Sequence, residues 1–293
     1  MLAYVNGTLV AQDKATVSVF DRGFLFGDGV YEMVRYFDGY GVALDLHTAR
    51  LARSLKAMRI EGFDAGDLET IGRDLLKANS LADGSIYLQV TRGAGTSRAH
   101  MPAPGMTPTV VAFATATAPL AEFTQPERVA AIVRPDPRWK HCSIKTISLA
   151  GNILCLMEAQ AAGADECILT RDGLVGEGAY TNVAVVRDGR MTTCALDDHG
   201  TPVLHGTMRA WAFECAAGAG IACEEGRVRE GDLRTADEVL IMSSRRLVSA
   251  VTSLDGDAVG SGAVGPVCRA LFSSMHQRIA CAVRARRSDA VGV

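Results

Sequence analysis

The sequence predicts a two-domain protein of the α+β class with mixed α/β elements. Apolar residues make up 48% of the 293 positions, which is enough for one large core or two of ordinary size. Strand and helix signals alternate through the first third of the chain and return after it. The stretch at 116–124 breaks this pattern and predicts a linker. We therefore expect a smaller α+β domain over residues 1–115 and a larger domain over residues 125–293.

Turn residues and apolar spacing define the elements of the first domain. Asn6-Gly7 predicts a tight turn between two short strands, and Asp38-Gly39 predicts a turn after a β-rich run at 29–37. Apolar residues recur every three or four positions after His47 and after Asp67, which predicts two helices, the second capped by Asp67. Buried strands are predicted at 86–92 and 109–115.

The second domain shows the same kinds of signal. Asp172-Gly173 and Asp188-Gly189 predict two hairpins, and Gly206 predicts the start of a helix. The other predicted elements are a strand at 129–134, a helix at 149–162 and a strand at 238–242.

Composition and charge exclude several classes of protein. The formal net charge of -3 argues against a protein that binds nucleic acid by neutralising phosphates. No run of about eighteen uninterrupted apolar residues occurs, so we expect no membrane span. The N-terminus lacks a basic region followed by a long apolar run, so we expect no signal peptide. The eight cysteines show no C-x-x-C spacing, which predicts reduced thiols in a cytoplasmic protein rather than disulfides or a metal site.

Lys145 is a candidate nucleophile. It lies between Ile144 and Ile147 on a short apolar stretch, where partial desolvation makes an amine nucleophilic toward an aldehyde. A pyridoxal phosphate site needs such a lysine, an anionic partner for the pyridinium nitrogen and a phosphate cup. Glu177, in Gly176-Glu177-Gly178, is the candidate anion about thirty residues later.

Three features are candidates for the phosphate cup. Gly206 opens a helix, where backbone N–H groups and the positive end of the helix dipole attract an anion. Ser243 and Ser244 place hydroxyls at the end of a strand, and Arg50 offers a permanent positive charge. Each feature alone is unspecific, but their order along the chain with Lys145 and Glu177 is not.

With these motifs, the chain resembles the fold-type IV pyridoxal-phosphate enzymes, the family of D-amino acid aminotransferase, branched-chain aminotransferase and aminodeoxychorismate lyase. The resemblance covers nearly the whole chain. It rests on the segment at 21–32, His47-x-x-Arg50-Leu51, Lys145, Glu177-Gly178, Gly206-x-x-Arg209 and Ser243-Ser244.

The resemblance implies a homodimer with the cofactor at the domain interface. It implies that Lys145 is the catalytic residue, which binds the cofactor covalently and carries protons, and that Glu177 accepts the pyridinium N–H. It also implies which groups hold the phosphate: Arg50, the amides of Thr207 and Met208, and the Ser243-Ser244 pair, Ser244 in particular.

A second motif concerns the substrate carboxylate. Arg98 and His100 alternate in an extended segment, so that both side chains can converge on one anion. This arrangement resembles the carboxylate trap of D-amino acid aminotransferase, to which Tyr31 would add a hydroxyl. Since Lys145 serves one face of the cofactor, the side on which the carboxylate binds decides the enantiomer. The resemblance implies transamination between D-alanine or D-glutamate and pyruvate or 2-oxoglutarate.

Some residues depart from the family pattern. Tyr180 replaces a small or hydroxyl residue and is expected to narrow the substrate pocket, and Met208 replaces a threonine. Arg245-Arg246 either adds a cation that favours dicarboxylates or forms an outward salt bridge. The alternative functions are those of a branched-chain L-amino acid aminotransferase and an aminodeoxychorismate lyase.

Overall fold

The structure, a computed structural model, describes residues 1–196 and 201–291. It divides into two compact units. The first comprises Met1–Phe123, Ile144–Ser148 and Cys281–Val293, and the second comprises Thr124–Ser143 and Leu149–Ala280. The short segment that carries Lys145 therefore belongs to the first unit, although residues on both sides of it belong to the second. The domain limits drawn from the sequence stay a prediction.

The first unit contains an antiparallel sheet with helices on one face. Its strands are β1 (Leu2–Val5), β2 (Thr8–Ala11), β3 (Gly29–Phe37), β4 (Tyr40–Gly41), β5 (Gly84–Thr91) and β6 (Thr109–Ala116). Its helices are α1 (Arg22–Phe26), α2 (Leu44–Met58) and α3 (Asp67–Ala78). Within the described residues the strand order is β2-β1-β6-β5-β3-β4.

Successive side chains of β3 point to opposite faces of this sheet. Val30 and Val34 face α2 and α3 and are fully buried, as the two-residue period of a strand requires. Glu32 lies between them on the same face and is also fully buried. Tyr31 and Met33 lie on the opposite face, where Met33 is exposed. The face that packs against α2 therefore carries a buried carboxylate.

The second unit contains a sheet that closes on itself. Its strands are β7 (Arg128–Pro135), β8 (Glu166–Arg171), β9 (Leu174–Gly178), β10 (Asn182–Arg187), β11 (Arg190–Cys194), β12 (Cys223–Gly226), β13 (Glu238–Ser243), β14 (Leu247–Leu254) and β15 (Asp257–Ala258). In the part of the chain described, the order is β12-β11-β10-β13-β14-β7-β8-β9, with β15 beside β14. A final pairing of Asn182 with Glu177 joins β10 to β9.

Helices complete the second unit. They are α4 (Ala150–Ala161), α5 (Thr207–Gly218), α6 (Glu230–Thr235) and the first part of α7 (Pro266–Val291). Ile168, Val183 and Ile241 lie in one apolar core of the unit, while Cys155 on α4 packs with Cys167 in another. In the described structure, no helix is long and apolar enough to cross a membrane.

The predicted hairpins are confirmed, and one predicted cap is wrong. Asp172 and Gly173 have φ of 50° and 74°, the left-handed pair that a two-residue hairpin turn of the primed type requires. Helix α3 begins at Asp67 itself, so its N-cap is Gly66 rather than Asp67. Asp64 accepts a hydrogen bond from the Gly66 N–H at 2.9 Å, and the Asp67 carboxylate lies in the first turn, where the helix dipole favours it.

Candidate active site

Lys145 lies on a short segment that runs beside β3 and α2. The Tyr31 N–H donates to the Lys145 carbonyl at 3.0 Å, and the Lys145 N–H donates to the Ser54 hydroxyl at 3.2 Å. Its Nζ lies 4.1 Å from the centre of the Tyr31 ring. The lysine is half-buried, as its apolar neighbours predict. The first unit therefore holds the amine against Tyr31, the tyrosine predicted to bind substrate.

Arg50 belongs to a buried ion cluster with Glu32 and His47. Its Nε and Nη2 donate to the two Glu32 oxygens, each at 2.8 Å, and His47 Nδ1 lies 2.6 Å from Glu32 Oε2. Burial by itself would raise the pKa of Glu32, but Arg50 and His47 lower it well below its usual range. Burial also lowers the pKa of His47.

Glu32 is a partner of Arg50 that the sequence motifs did not predict. The two-residue period of β3 contained the signal, since it places Glu32 on the helix-facing side with Val30 and Val34. A buried bidentate carboxylate fixes the orientation of the guanidinium. Arg50 is therefore held rigidly, with its charge matched by Glu32.

The loop that carries Arg98 and His100 is shaped by Arg22. Arg22 donates to the carbonyls of Ala99 at 2.7 Å and His100 at 2.9 Å, and its Nε pairs with Asp28 at 2.7 Å. The Arg98 guanidinium and the His100 ring lie 5.0 and 5.6 Å from the centre of the Phe26 ring. Both side chains are exposed. The alternation predicted from the sequence thus places them around one aromatic ring.

Glu177 lies at the end of β9 in the second unit, with only 4% of its surface exposed. Its Oε1 accepts from Arg138 Nη1 at 2.8 Å, and its Oε2 accepts from the Leu204 N–H at 2.9 Å and from Asn182 Nδ2 at 3.3 Å. Burial raises the pKa of Glu177, and Arg138 opposes this shift. Arg138 is a site residue that the sequence did not predict, because it lies in a loop outside any recognised motif.

The start of α5 lies near the serines at the end of β13. Gly206 is the N-cap, and a β-carbon there would lie 1.7 Å from the Asn182 side-chain oxygen, so the position requires glycine. The Thr207 hydroxyl lies 3.5 Å from the Ser244 hydroxyl. The Ser243 hydroxyl is buried and has no hydrogen-bond partner among the described residues. The Met208 side chain is buried, so only its backbone is left to meet an anion.

The start of α5 and the serines at the end of β13 offer the hydrogen-bond donors that a phosphate needs. Gly206 has no side chain with which to cap the first turn of α5, and the backbone N–H groups and dipole at a helix start attract an anion. The orphaned Ser243 hydroxyl is a further polar atom that a ligand oxygen would satisfy. The Thr207, Met208, Ser243 and Ser244 positions therefore meet in one region of the second unit.

Two of the departures from the family pattern, Tyr180 and Arg246, contact each other. Arg246 is 7% exposed, pairs with Glu127 and donates to the Tyr180 hydroxyl at 3.3 Å. Arg245 is exposed. Of the two predicted roles of the arginine pair, Arg246 therefore has the second, a salt bridge, which it forms with Glu127.

Glu166 is a buried carboxylate directly beside the Glu177 segment. It accepts from the Cys167 and Ala179 N–H groups at 2.7 and 2.9 Å and from the Thr181 hydroxyl at 2.7 Å. A β-carbon on Gly178 would lie 2.8 Å from the Glu166 carboxyl carbon. Glu166 therefore packs against the backbone that turns from β9 into β10.

The stability of the protein should depend on the protonation of Glu166. Burial raises the pKa of Glu166 to about 6, from an ordinary value of 4.5. The folded state then binds this proton more tightly than the unfolded state, so the free energy of unfolding falls as pH rises from 4.5 through 6. Over this pH range we expect the loss of the Glu166 proton to lower the free energy of unfolding by roughly 2 kcal/mol. Urea unfolding at several pH values should show a flatter curve for Glu166→Gln; a slope equal to that of the wild type would contradict this expectation.

Comparison with known proteins decides the family. Residues 29–254 match the model of the amino-transferase class IV family. The chain belongs to the aminotransferase class IV family. Two curated relatives are D-alanine aminotransferases. That of Bacillus licheniformis is 38% identical over 95% of this chain and 97% of its own, and that of Staphylococcus haemolyticus is 34% identical over 94% and 97%.

The fold is also that of the family. The branched-chain amino acid aminotransferase of Escherichia coli is 25% identical, with a TM-score of 0.80 over 95% of this chain and 91% of that one. Another branched-chain amino acid aminotransferase, solved with pyridoxamine 5'-phosphate, is 27% identical, with a TM-score of 0.84 over 99% of this chain and 96% of that one. The class IV aminotransferase thus has the predicted mixed α/β, fold-type IV architecture and depends on pyridoxal phosphate.

Proposed function

We propose that this class IV aminotransferase transfers the amino group of a D-amino acid, such as D-alanine or D-glutamate, to a 2-oxo acid such as pyruvate or 2-oxoglutarate. The observation that carries the proposal is the match of nearly the whole chain to D-alanine aminotransferases at 34–38% identity. The ordered loop of Arg98 and His100 supports it. The likeness to branched-chain enzymes lies at 24–27% identity and gives less support to the L-amino acid alternative.

Each predicted site residue would have its own role. Bound pyridoxal phosphate supplies an aldehyde for the amino group and a ring that takes up electrons. Lys145 would hold the cofactor and then move the substrate proton as general base and acid. Glu177 would keep a proton on the ring nitrogen. Arg50, the amides of Thr207 and Met208, and the hydroxyls of Ser243 and Ser244 would hold the phosphate.

Arg98, His100 and Tyr31 would select the enantiomer. Lys145 can reach only one face of the bound cofactor, so the substrate hydrogen must point to that face. A carboxylate held by a cationic loop on one side leaves the D enantiomer with its hydrogen toward the lysine. The Phe26 ring supports this role, because Arg98 and His100 both lie against it and are limited in the directions that they can take.

Amino-donor kinetics test the proposal. We expect D-alanine to be used far better than L-alanine, L-leucine or aminodeoxychorismate. Arg98→Ala should raise the KM for D-alanine, since loss of a charge-assisted contact to a buried carboxylate costs about 1.5–3 kcal/mol, or roughly 10- to 150-fold. Arg53→Ala, which removes an exposed arginine of α2, is the matched control and should leave KM unchanged. A preference for L-leucine with a silent Arg98→Ala would move the enzyme to the branched-chain group.

We also propose that the enzyme is a cytoplasmic homodimer. Large apolar side chains are exposed in the segment at 17–24, next to His100 and on α4, and a second copy of the chain would cover them. They are Val17, Val19, Phe20 and Phe24, then Met101, and Ile153, Leu154 and Met157 on α4. Cysteines without disulfides support a reducing compartment. Light scattering should give twice the 31.0 kDa chain mass, and a monomer at micromolar concentration would exclude the dimer.

A further inference from the structure

Arg138 is the charged donor to Glu177, and its direction is fixed by Asp136. Arg138 donates through Nε to Asp136 Oδ1 and through Nη2 to Asp136 Oδ2, both at 2.9 Å. This fork leaves Nη1 for Glu177 Oε1 at 2.8 Å. The Arg138 and Asp136 side chains are 9% and 5% exposed, so water screens their charges weakly. Because the guanidinium is planar and rigid, its two hydrogen bonds to Asp136 fix the direction in which Nη1 points toward Glu177.

Arg171 anchors this arrangement from β8. Its Nε donates to Asp136 Oδ2 at 3.1 Å, and its Nη2 donates to the carbonyls of Arg138 at 2.9 Å and Trp139 at 2.7 Å. The Asp136 N–H also donates to the Thr170 carbonyl at 2.8 Å. The loop after β7 is thus tied to β8 at several points, and charges of opposite sign alternate from Arg171 through Asp136 and Arg138 to Glu177.

We propose that Arg138 is a positioning residue that keeps Glu177 ionised while it faces the cofactor ring, and that Asp136 aims Arg138 at this task. The proposal deepens the proposed function and rests on its assignment of Glu177 to the ring nitrogen. A cation on the far side of the carboxylate favours the state in which the proton lies on the ring nitrogen and the negative charge lies on Glu177. Without Arg138, a buried carboxyl group keeps the proton itself, and the ring loses its positive charge.

The other groups that face Glu177 do not stabilise its ionised form as Arg138 does. Leu204 and Asn182 donate neutral hydrogen bonds, which stabilise a carboxylate less than a charged donor does. Asp136 carries negative charge and raises the pKa of Glu177. Burial raises the pKa of the nearby Cys142 thiol to about 11, so Cys142 stays neutral around pH 8. Arg138 is the nearby group that favours ionised Glu177 most.

The test reads the protonation of the ring nitrogen directly. The holoenzyme is loaded with pyridoxal phosphate labelled with nitrogen-15 in the ring, and its NMR shift is followed from about pH 6 to 9 without amino donor. We expect a protonated ring nitrogen in the wild type. In Arg138→Gln the titration midpoint should fall by about one to two pH units, the equivalent of one charge-assisted hydrogen bond. Because no donor is present, the result does not depend on which enantiomer the enzyme uses.

Further variants separate this role from a merely structural one. Arg138→Lys keeps the charge and should restore most of the wild-type midpoint. Asp136→Asn removes the fork that aims Arg138 and should lower the midpoint by less than Arg138→Gln does, because it also removes a negative charge that raises the pKa of Glu177. In Glu177→Gln the added Arg138→Gln change should have no further effect on the midpoint. Arg134→Gln is the matched control, since Arg134 lies on β7 and pairs with exposed Glu158 at 3.1 Å. The proposal would be overturned if folded Arg138→Gln kept the wild-type midpoint. It would also be overturned if the midpoint shifts of Arg138→Gln and Glu177→Gln were fully additive in the double variant.

Discussion

Lys145→Ala should abolish the visible absorption of the lysine-bound cofactor and lower turnover by at least about a thousandfold, because one residue supplies both the covalent anchor and the general base. The surrounding structure should survive. The segment is held through its backbone, by the Tyr31 N–H on one side and the Ser54 hydroxyl on the other. Alanine keeps both of these hydrogen bonds, so the melting temperature of the cofactor-free protein should stay close to that of the wild type.

Lys140→Ala provides the comparison for Lys145→Ala. Lys140 is an exposed lysine five positions earlier, and its removal should leave both the visible spectrum and turnover unchanged. Turnover is measured with D-alanine and 2-oxoglutarate, and the spectrum is recorded after removal of unbound cofactor. If Lys145→Ala kept its colour and a wild-type rate, the catalytic lysine would have to be sought elsewhere in the chain.

The sequence predicted most secondary structure because the signals there are local. A two-residue turn depends on residues that adopt positive φ, and Asp172-Gly173 supplies both. The start of α5 depends on a glycine at the N-cap, which the sequence displays directly. Asp67 was assigned wrongly as a cap because an acidic residue suits both the N-cap and the first helical turn. Residue type alone does not separate these two positions.

The charged partners of the site were harder to predict. Arg138 follows β7 in a loop, where an arginine is ordinarily solvated, and its contact with Glu177 spans 39 positions of sequence. No local pattern encodes a pair of this kind. Glu32 differs, because its place between Val30 and Val34 on one face of β3 made its burial predictable. Buried charges require partners, so the period of the strand also predicts that a cation approaches this face.

Glu177→Gln should retain the cofactor but lower the rate of the half-reaction with D-alanine by about 10²–10³-fold, the size associated with one preorganised electrostatic partner. A neutral amide has no charge with which to hold a proton on the ring nitrogen. The two oxygens of Glu177 are both used, one by Arg138 and the other by the Leu204 N–H and Asn182. The amide NH₂ of glutamine must face one of these donors, which leaves a buried donor unpaired at a cost of about 1–3 kcal/mol.

Glu177→Gln should therefore lower both the stability of the protein and the rate of the half-reaction, and a control variant is needed to separate the two effects. Glu158→Gln is the matched control: Glu158 is 58% exposed in its pair with Arg134, so the same substitution there should leave stability and rate unchanged. Stopped-flow absorbance gives the half-reaction rate at saturating donor, and thermal unfolding gives the stability. A loss of stability at a wild-type rate would show that Glu177 only supports the fold, whereas a slow half-reaction in a folded, cofactor-loaded variant assigns the carboxylate to the ring nitrogen.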